Sequence, residues 1–174
     1  TYLSTKQQRI KTAASSLKII DAYLKTGSRL LDVGCNAGFF LDVASTQFEV
    51  EGIELSNWSA DLAAMNHLVH RLPLSSLHLS EKFDGLTLFG VIEHFSDPSL
   101  EIAAAFRALK PGGFIFIYTG DKDALIPRLL KKKWWWYQGM HLQYFSKSSL
   151  RQLIERTGFI YVHSRRFPLF FSLN

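Results

Sequence analysis

Asp32, Glu54, Glu93, His94 and His141 are the side chains of this sequence whose types and surroundings point to chemistry. Asp32 lies in the apolar run Leu30-Leu31-Asp32-Val33, which opens directly into Gly34-Cys35-Asn36-Ala37-Gly38. A buried strand that runs into a glycine loop leaves its backbone bare where a side chain would block a bound molecule. In open α/β sheets, ligands lodge outside the carboxyl ends of the strands. A second run, Phe48 to Ser56, closes on Gly52-Ile53-Glu54-Leu55-Ser56, with its acid about twenty residues beyond the loop, a spacing that suits ribose. The two oxygens of Glu54 can take hydrogen bonds from neighbouring sugar hydroxyls, and Leu55 offers an apolar surface to a flat base. A third run, Phe83 to Phe95, ends in Glu93-His94, and a later segment carries His141. Histidine is suited to proton transfer near neutral pH.

The loop does not read as a phosphate cradle. A dinucleotide site requires a glycine where Asn36 stands, and a P-loop requires Gly-Lys-Ser or Gly-Lys-Thr where Gly38 is followed by Phe39 and Phe40. What remains is a loop for a small ligand held without a phosphate contact, or simply a tight turn. Cys35, the single cysteine, excludes an intrachain disulfide and reads as a small packing residue within the loop. The six histidines show no paired ligand spacing such as His-Glu-x-x-His, so no metal is expected.

The elements that position these residues alternate. Thr5 to Lys25 reads as a helix, followed by helices over Gly38 to Gln47, Trp58 to His70 and Pro98 to Leu109, the last with Pro98 in its first turn. Strands are expected at Leu30, Phe48, Phe83 and Phe114, and a later one at Phe159 to His163. Ser146 or Ser148 caps a helix running through Arg156. Strand and helix in alternation imply a parallel sheet with helices on both faces. The expectation is one domain over residues 1–174: an N-terminal helix (1–27), a core (28–120), an aromatic and basic lid (121–147), and a C-terminal helix and strand (148–174).

In order, Asp32-x-Gly34-x-x-x-Gly38, Glu54 at the second strand end, Glu93-His94 after the fourth strand and Leu109-Lys110-Pro111-Gly112-Gly113 resemble the motifs of the class I S-adenosylmethionine-dependent methyltransferases. The resemblance covers about Ser28 to Gly120. It implies a Rossmann-like, doubly wound, mostly parallel α/β sheet, abbreviated here at its last strand, with S-adenosylmethionine as cofactor. By the same resemblance Asp32 holds the methionine ammonium and Gly34, Cys35, Asn36 and Gly38 line its chain. Glu54 binds the ribose and Leu55 packs on the adenine, while backbone near Leu74, with Ser75, faces the adenine edge. Glu93 orients the loop at the cofactor. The resemblance also implies a short third strand near Arg71 to Leu77, followed in many relatives by an acidic or polar residue, and no carboxylate stands there. His94 and His141 are candidates for a general base, each with an alternative structural role, and Tyr144, Trp135 and Trp136 for an acceptor wall. The His141 to Ser146 run resembles the branch associated with quinone and sugar pathways.

The chain is 47% hydrophobic and 20% charged, the composition of a globular domain, and no run approaches a membrane span. Residues 1–20 carry no signal-peptide core, so a cytoplasmic location is expected. A net charge of +5 gathers at Arg128 and Lys131-Lys132-Lys133, just before Trp134-Trp135-Trp136-Tyr137, and at Arg165-Arg166. Such a run can meet an anionic partner or a lipid interface, or it can be a solvated face beside an aromatic lid. The leading expectation is methyl transfer to an oxygen or nitrogen of a small-molecule acceptor, anionic or aromatic. The alternatives are a non-catalytic cofactor-binding or partner-binding domain and, behind it, a nucleic-acid methyltransferase, for which no Asn-Pro-Pro-Tyr or Asp-Pro-Pro-Tyr motif is present. Oligomeric state is not legible.

Overall fold

A computed structural model of the chain describes residues 6–164. Five strands form one sheet: β1 (Arg29–Val33), β2 (Glu49–Ile53), β3 (Leu68–His70), β4 (Phe83–Phe89) and β5 (Leu109–Tyr118). Their order is β3-β2-β1-β4-β5, and every neighbouring pair is parallel. β1 is therefore central, and strand order reverses across it, which is where such sheets open a crevice for ligands.

Successive β1 side chains serve opposite faces, as a strand requires. Leu30 packs with Leu17, Ile20 and Leu24, Ala44 and Phe48, under the helices α1 (Lys6–Ile20) and α2 (Phe39–Ala44). Leu31 and Val33 join Leu86, Leu88, Ile102 and Ala105 on the other face, beneath α4 (Pro98–Ala108). On this second face, Leu150, Leu153 and Ile154 of α6 (Lys147–Arg156) complete the cover. A Cβ on Gly85 would stand 2.5 Å from Leu24 Cδ1, so β4 lacks a side chain where the α1 end comes down on the sheet.

Two helices begin at side-chain caps, α4 with Pro98 in its first turn as expected and α6 at Ser146, not Ser148. The Asp97 side chain accepts from Leu100 N at the start of α4, with Pro98 in the first turn, and Ser146 forms a capping box with Ser149 ahead of α6.

Three expected elements differ. The helix expected over Trp58 to His70 is α3 (Asn57–Ala63), after which Leu68–His70 is β3 itself. The apolar residues from Trp58 to Val69 fit a helical period, but Glu51, Gly52 and Ile53 of β2 leave an edge that Leu68, Val69 and His70 pair with. Tertiary pairing outweighs local pattern there. The Arg71 to Leu77 segment, expected as the third strand, instead holds a 3-10 turn at Leu74–Ser76. Phe159 to His163 forms no strand, so the sheet has five strands among the described residues. Thr5, and the Arg165-Arg166 pair with its charge, lie outside the described residues. A smaller shift concerns Leu109-Lys110-Pro111-Gly112-Gly113, read as a helix end and turn. It belongs to β5, entered through an irregular register opposite Phe83 and Gly85.

Candidate active site

Asp32 sits in the middle of the sheet, with Gly52 of β2 and Thr87 of β4 as its register partners. That register brings the Thr87 hydroxyl to donate to Asp32 Oδ1 at 2.5 Å. Asp32 is only 4% exposed. Burial pushes its pKa up to about 7, against the pull of the Thr87 hydrogen bond, and the Glu54 charge adds to the rise.

The chain then turns sharply. The amides of Gly34 and Cys35 both donate to the Ile53 carbonyl, at 2.7 and 3.0 Å, which hooks the loop over the end of β2. Gly34 has φ +74°, and a Cβ there would collide with Val91, so both backbone and space call for glycine. Asn36 takes φ +53°, a conformation asparagine tolerates, and its Oδ1 accepts from Ala37 N at 3.0 Å. Cys35 is buried with Leu41 and Ala63, and burial, then the charges of Asp32 and Glu54, push its thiol pKa up. A thiol held protonated serves packing, not nucleophilic attack.

Glu54 follows β2 and is locked to the same loop. Its Oε2 accepts from Asn36 N at 2.9 Å and its Oε1 from Ser56 N at 2.8 Å. Each oxygen has a second lone-pair direction, so a carboxylate held this way can still receive two hydroxyls. Leu55 beside it is 59% exposed, an apolar side chain with no cover from the fold. The adenine-edge region is more committed than its sequence implies. Leu74 is buried in the core, and its carbonyl accepts from Leu77 N at 3.2 Å. Ser75 gives its hydroxyl and amide to Glu101, at 2.5 and 3.2 Å, and so is already partnered.

Across the crevice, Ile92–His94 form a 3-10 turn after β4. Glu93 is 1% exposed, and its Oε2 accepts the Thr119 hydroxyl at 2.9 Å. Its carbonyl accepts from Leu142 N and Gln143 N, at 2.8 and 3.0 Å, so this residue ties the β4 turn to the end of β5 and to the lid. Burial and then the Glu93 charge push the Tyr118 hydroxyl pKa up to about 12. His94 Nδ1 bonds the Met140 carbonyl at 2.9 Å, and His141 Nδ1 bonds the Trp136 carbonyl at 2.6 Å. A carbonyl can only accept, so both Nδ1 atoms carry hydrogen and each ring has Nε2 left for a proton or a ligand. The rings meet edge to face with centroids 4.7 Å apart. One donor atom from each of Glu93, His94 and His141 lies within 4.8 Å of the others. Residues 94 and 141 meet only through the fold, which is why no local spacing reveals this trio.

The lid aromatics pack on this pair. Trp136 lies against His141 at 5.0 Å and against Tyr118 at 6.1 Å, with Trp134 stacked beside it at 6.2 Å. Its Nε1 is buried against Gly120 and has no hydrogen-bond partner among the described residues. Tyr137 and Tyr144 meet at 4.9 Å, whereas Trp135 is 55% exposed. Thr87, Thr119 and Gly120 take part in the site without having been singled out from sequence. The only signal was a polar residue inside an apolar strand and two small residues just past one.

These residues fit the cofactor in kind. A carboxyl buried at the cost of its charge is relieved by an ammonium. A loop-pinned carboxylate has acceptor capacity left for hydroxyls, and an exposed leucine offers an apolar surface to a flat ring.

Comparison with known proteins agrees. The chain matches the methyltransferase domain family over residues 5–164. It is 32% identical over 118 residues to a ubiquinone biosynthesis O-methyltransferase of Paraburkholderia phymatum, covering 62% of this chain and 51% of that protein. The chain thus spans about half the length of the curated relatives it matches. Among solved structures, an S-adenosylmethionine-dependent methyltransferase of Thermotoga maritima superposes with a TM-score of 0.74 at 22% identity, over 92% of this chain and 77% of that one. A Haemonchus contortus phosphoethanolamine N-methyltransferase bound to S-adenosylmethionine superposes at 0.65 and 20% identity, over 83% of this chain and 36% of that one. With the parallel sheet, the glycine loop and its two carboxylates in place, the chain belongs to the methyltransferase domain family, the S-adenosylmethionine-dependent enzymes of class I fold.

Proposed function

We propose that this protein methylates an oxygen or nitrogen of a small-molecule acceptor, with His94 as the residue that takes the acceptor's proton. The observation that carries this reading is the His94 and His141 pair at the carboxyl end of the sheet, each Nδ1–H held by a lid or loop carbonyl. When bound, S-adenosylmethionine supplies a methyl group on a positively charged sulfur. The residues of the chain then have two tasks. Asp32 and Glu54, with Gly34, Cys35, Asn36 and Gly38, hold the donor at its two ends, and Leu55 lies along the adenine. Leu74 closes the core behind the adenine edge, and Glu93 anchors the lid at the cofactor crevice. His94 Nε2 would take the proton that the acceptor gives up on receiving the methyl group, with Nδ1–H held by the Met140 carbonyl. His141 sets the His94 ring by edge contact, and Trp136 walls the acceptor from water. A domain with one cysteine, buried and unpaired, suits a reducing compartment such as the cytoplasm.

His94→Ala tests the base. Cofactor affinity is expected to stay within about twofold, while turnover falls by about 10² or more, the scale of general-base catalysis. Unchanged turnover sinks the role. A second reading is favoured by the three converging donor atoms: Glu93, His94 and His141 hold a divalent cation that positions the acceptor. Turnover abolished by a chelator and restored by added cation selects that reading over a base.

A further inference from the structure

The lid presents one surface that neither the core nor the proposed chemistry uses. After β5, the short helix α5 (Leu125–Leu130) buries only Pro127, while Leu125, Ile126 and Leu129 are 69%, 54% and 70% exposed. Leu130 is exposed as well, as are Met140 and Leu142 further along the lid. Four cations are interleaved with it: Arg128 within the helix and Lys131, Lys132 and Lys133 immediately after it, all exposed. None of the four is in an ion pair among the described residues. Trp135 and Tyr137 stand exposed just beyond the lysines, whereas Trp134 is buried and fastens the segment to the body of the lid.

We infer that this face docks on an anionic lipid surface. Aliphatic side chains that enter the acyl boundary, lysines at headgroup depth, and tryptophan and tyrosine at the interface are the arrangement a bilayer selects. A protein partner fits less well, because interface centres are depleted in lysine. No helix among the described residues is long and apolar enough to cross a membrane, so contact through this face would be peripheral. The geometry also sets the docking face on the segment that carries His141 and Trp136, so the crevice would open close to the bilayer. This inference stands apart from the chemistry proposed above.

The test is sedimentation of the whole chain with vesicles of phosphatidylcholine alone, and of phosphatidylcholine with phosphatidylglycerol in equal parts, at low and physiological salt. Binding is expected to be at least about tenfold stronger to the anionic vesicles and to weaken with salt. Replacing Lys131, Lys132 and Lys133 by serine together should remove the preference for anionic lipid. Leu125→Ser with Leu129→Ser should leave a weak, salt-sensitive attraction and lose binding at physiological salt. Calorimetry with S-adenosylmethionine on each variant, expected unchanged, shows that the variants remain folded. Equal failure to sediment with either vesicle overturns the inference. So does a concentration-dependent dimer that the paired leucine substitutions abolish, since the face would then belong to a second copy.

Discussion

Asp32 carries a proton that the unfolded chain would not. Folded, its carboxyl keeps that proton up to about pH 7, whereas its ordinary pKa is near 3.8. Between those values the folded state binds more protons than the unfolded one, so stability falls as pH rises, by about 1.4 kcal/mol per unit for one group. Above the folded value the slope vanishes. With Asp32 holding the ammonium as proposed, cofactor binding is expected to have the opposite slope, because an ammonium favours the ionised carboxylate and affinity should strengthen as pH rises towards 7. Asp32→Asn is expected to flatten the stability profile over this window and to weaken S-adenosylmethionine binding about tenfold on the alkaline side, a pair of effects read by denaturation and calorimetry. Glu54 is bonded to the loop and is the residue proposed to hold the ribose. Glu54→Ala removes the acceptors of Asn36 N and Ser56 N together with those proposed for the ribose. Cofactor binding should weaken by about 1.5–3 kcal/mol, and unchanged affinity would mean that the sugar lies elsewhere.

At the scale of elements, Glu51 within β2 is an acid with a different task from Glu54, which follows the strand. Glu51 accepts from Arg29 Nη2 at 3.0 Å and Lys82 Nζ at 2.8 Å, and pairs with His70 Nε2 at 2.9 Å, joining β1, β2, β3 and the entry to β4. Burial alone would raise its pKa, but its partners on Lys82, His70 and Arg29 hold it below the usual value of 4.5. Its contribution is therefore complete above that value and drains away as pH falls below it. Glu51→Gln is expected to cost about 2 kcal/mol near neutrality and to move acid unfolding less than it moves neutral stability, measured by denaturant titration at several pH values. Four distant elements meet at this one carboxylate, which no run of sequence around Glu51 displays. The helix α3 and strand β3 teach the same lesson, since Leu68 to His70 become a strand only because β2 offers an edge.

In the whole molecule, a dense parallel sheet carries a lid held by a few contacts. Glu93 supplies two of them, through its carbonyl to Leu142 and Gln143, while its carboxyl holds Thr119 at the end of β5, and His94 adds one to Met140. Amide exchange should follow this division. Residues of β1 and β4 are expected to open only with global unfolding, and the Lys131 to Gln138 stretch much sooner. Added S-adenosylmethionine should slow exchange at Asn36 and Ser56, whose amides rest on Glu54; uniform protection across lid and sheet would contradict this division.

The sequence by itself determined the parallel α/β architecture, the glycine turn from Gly34 to Gly38 that follows β1, and the starts of α4 and α6. Those features are written in contiguous residues: an apolar run, glycines where backbone must turn left-handed, and a serine or aspartate before a helix. Only the tertiary structure decided that Thr87 meets Asp32, that Thr119 meets Glu93, that His94 and His141 share an edge across 47 positions, and that α5 leaves its leucines uncovered. Each of these depends on strand register or on chain return from a distant segment. Local patterning sets which way a residue faces, but not what stands opposite it.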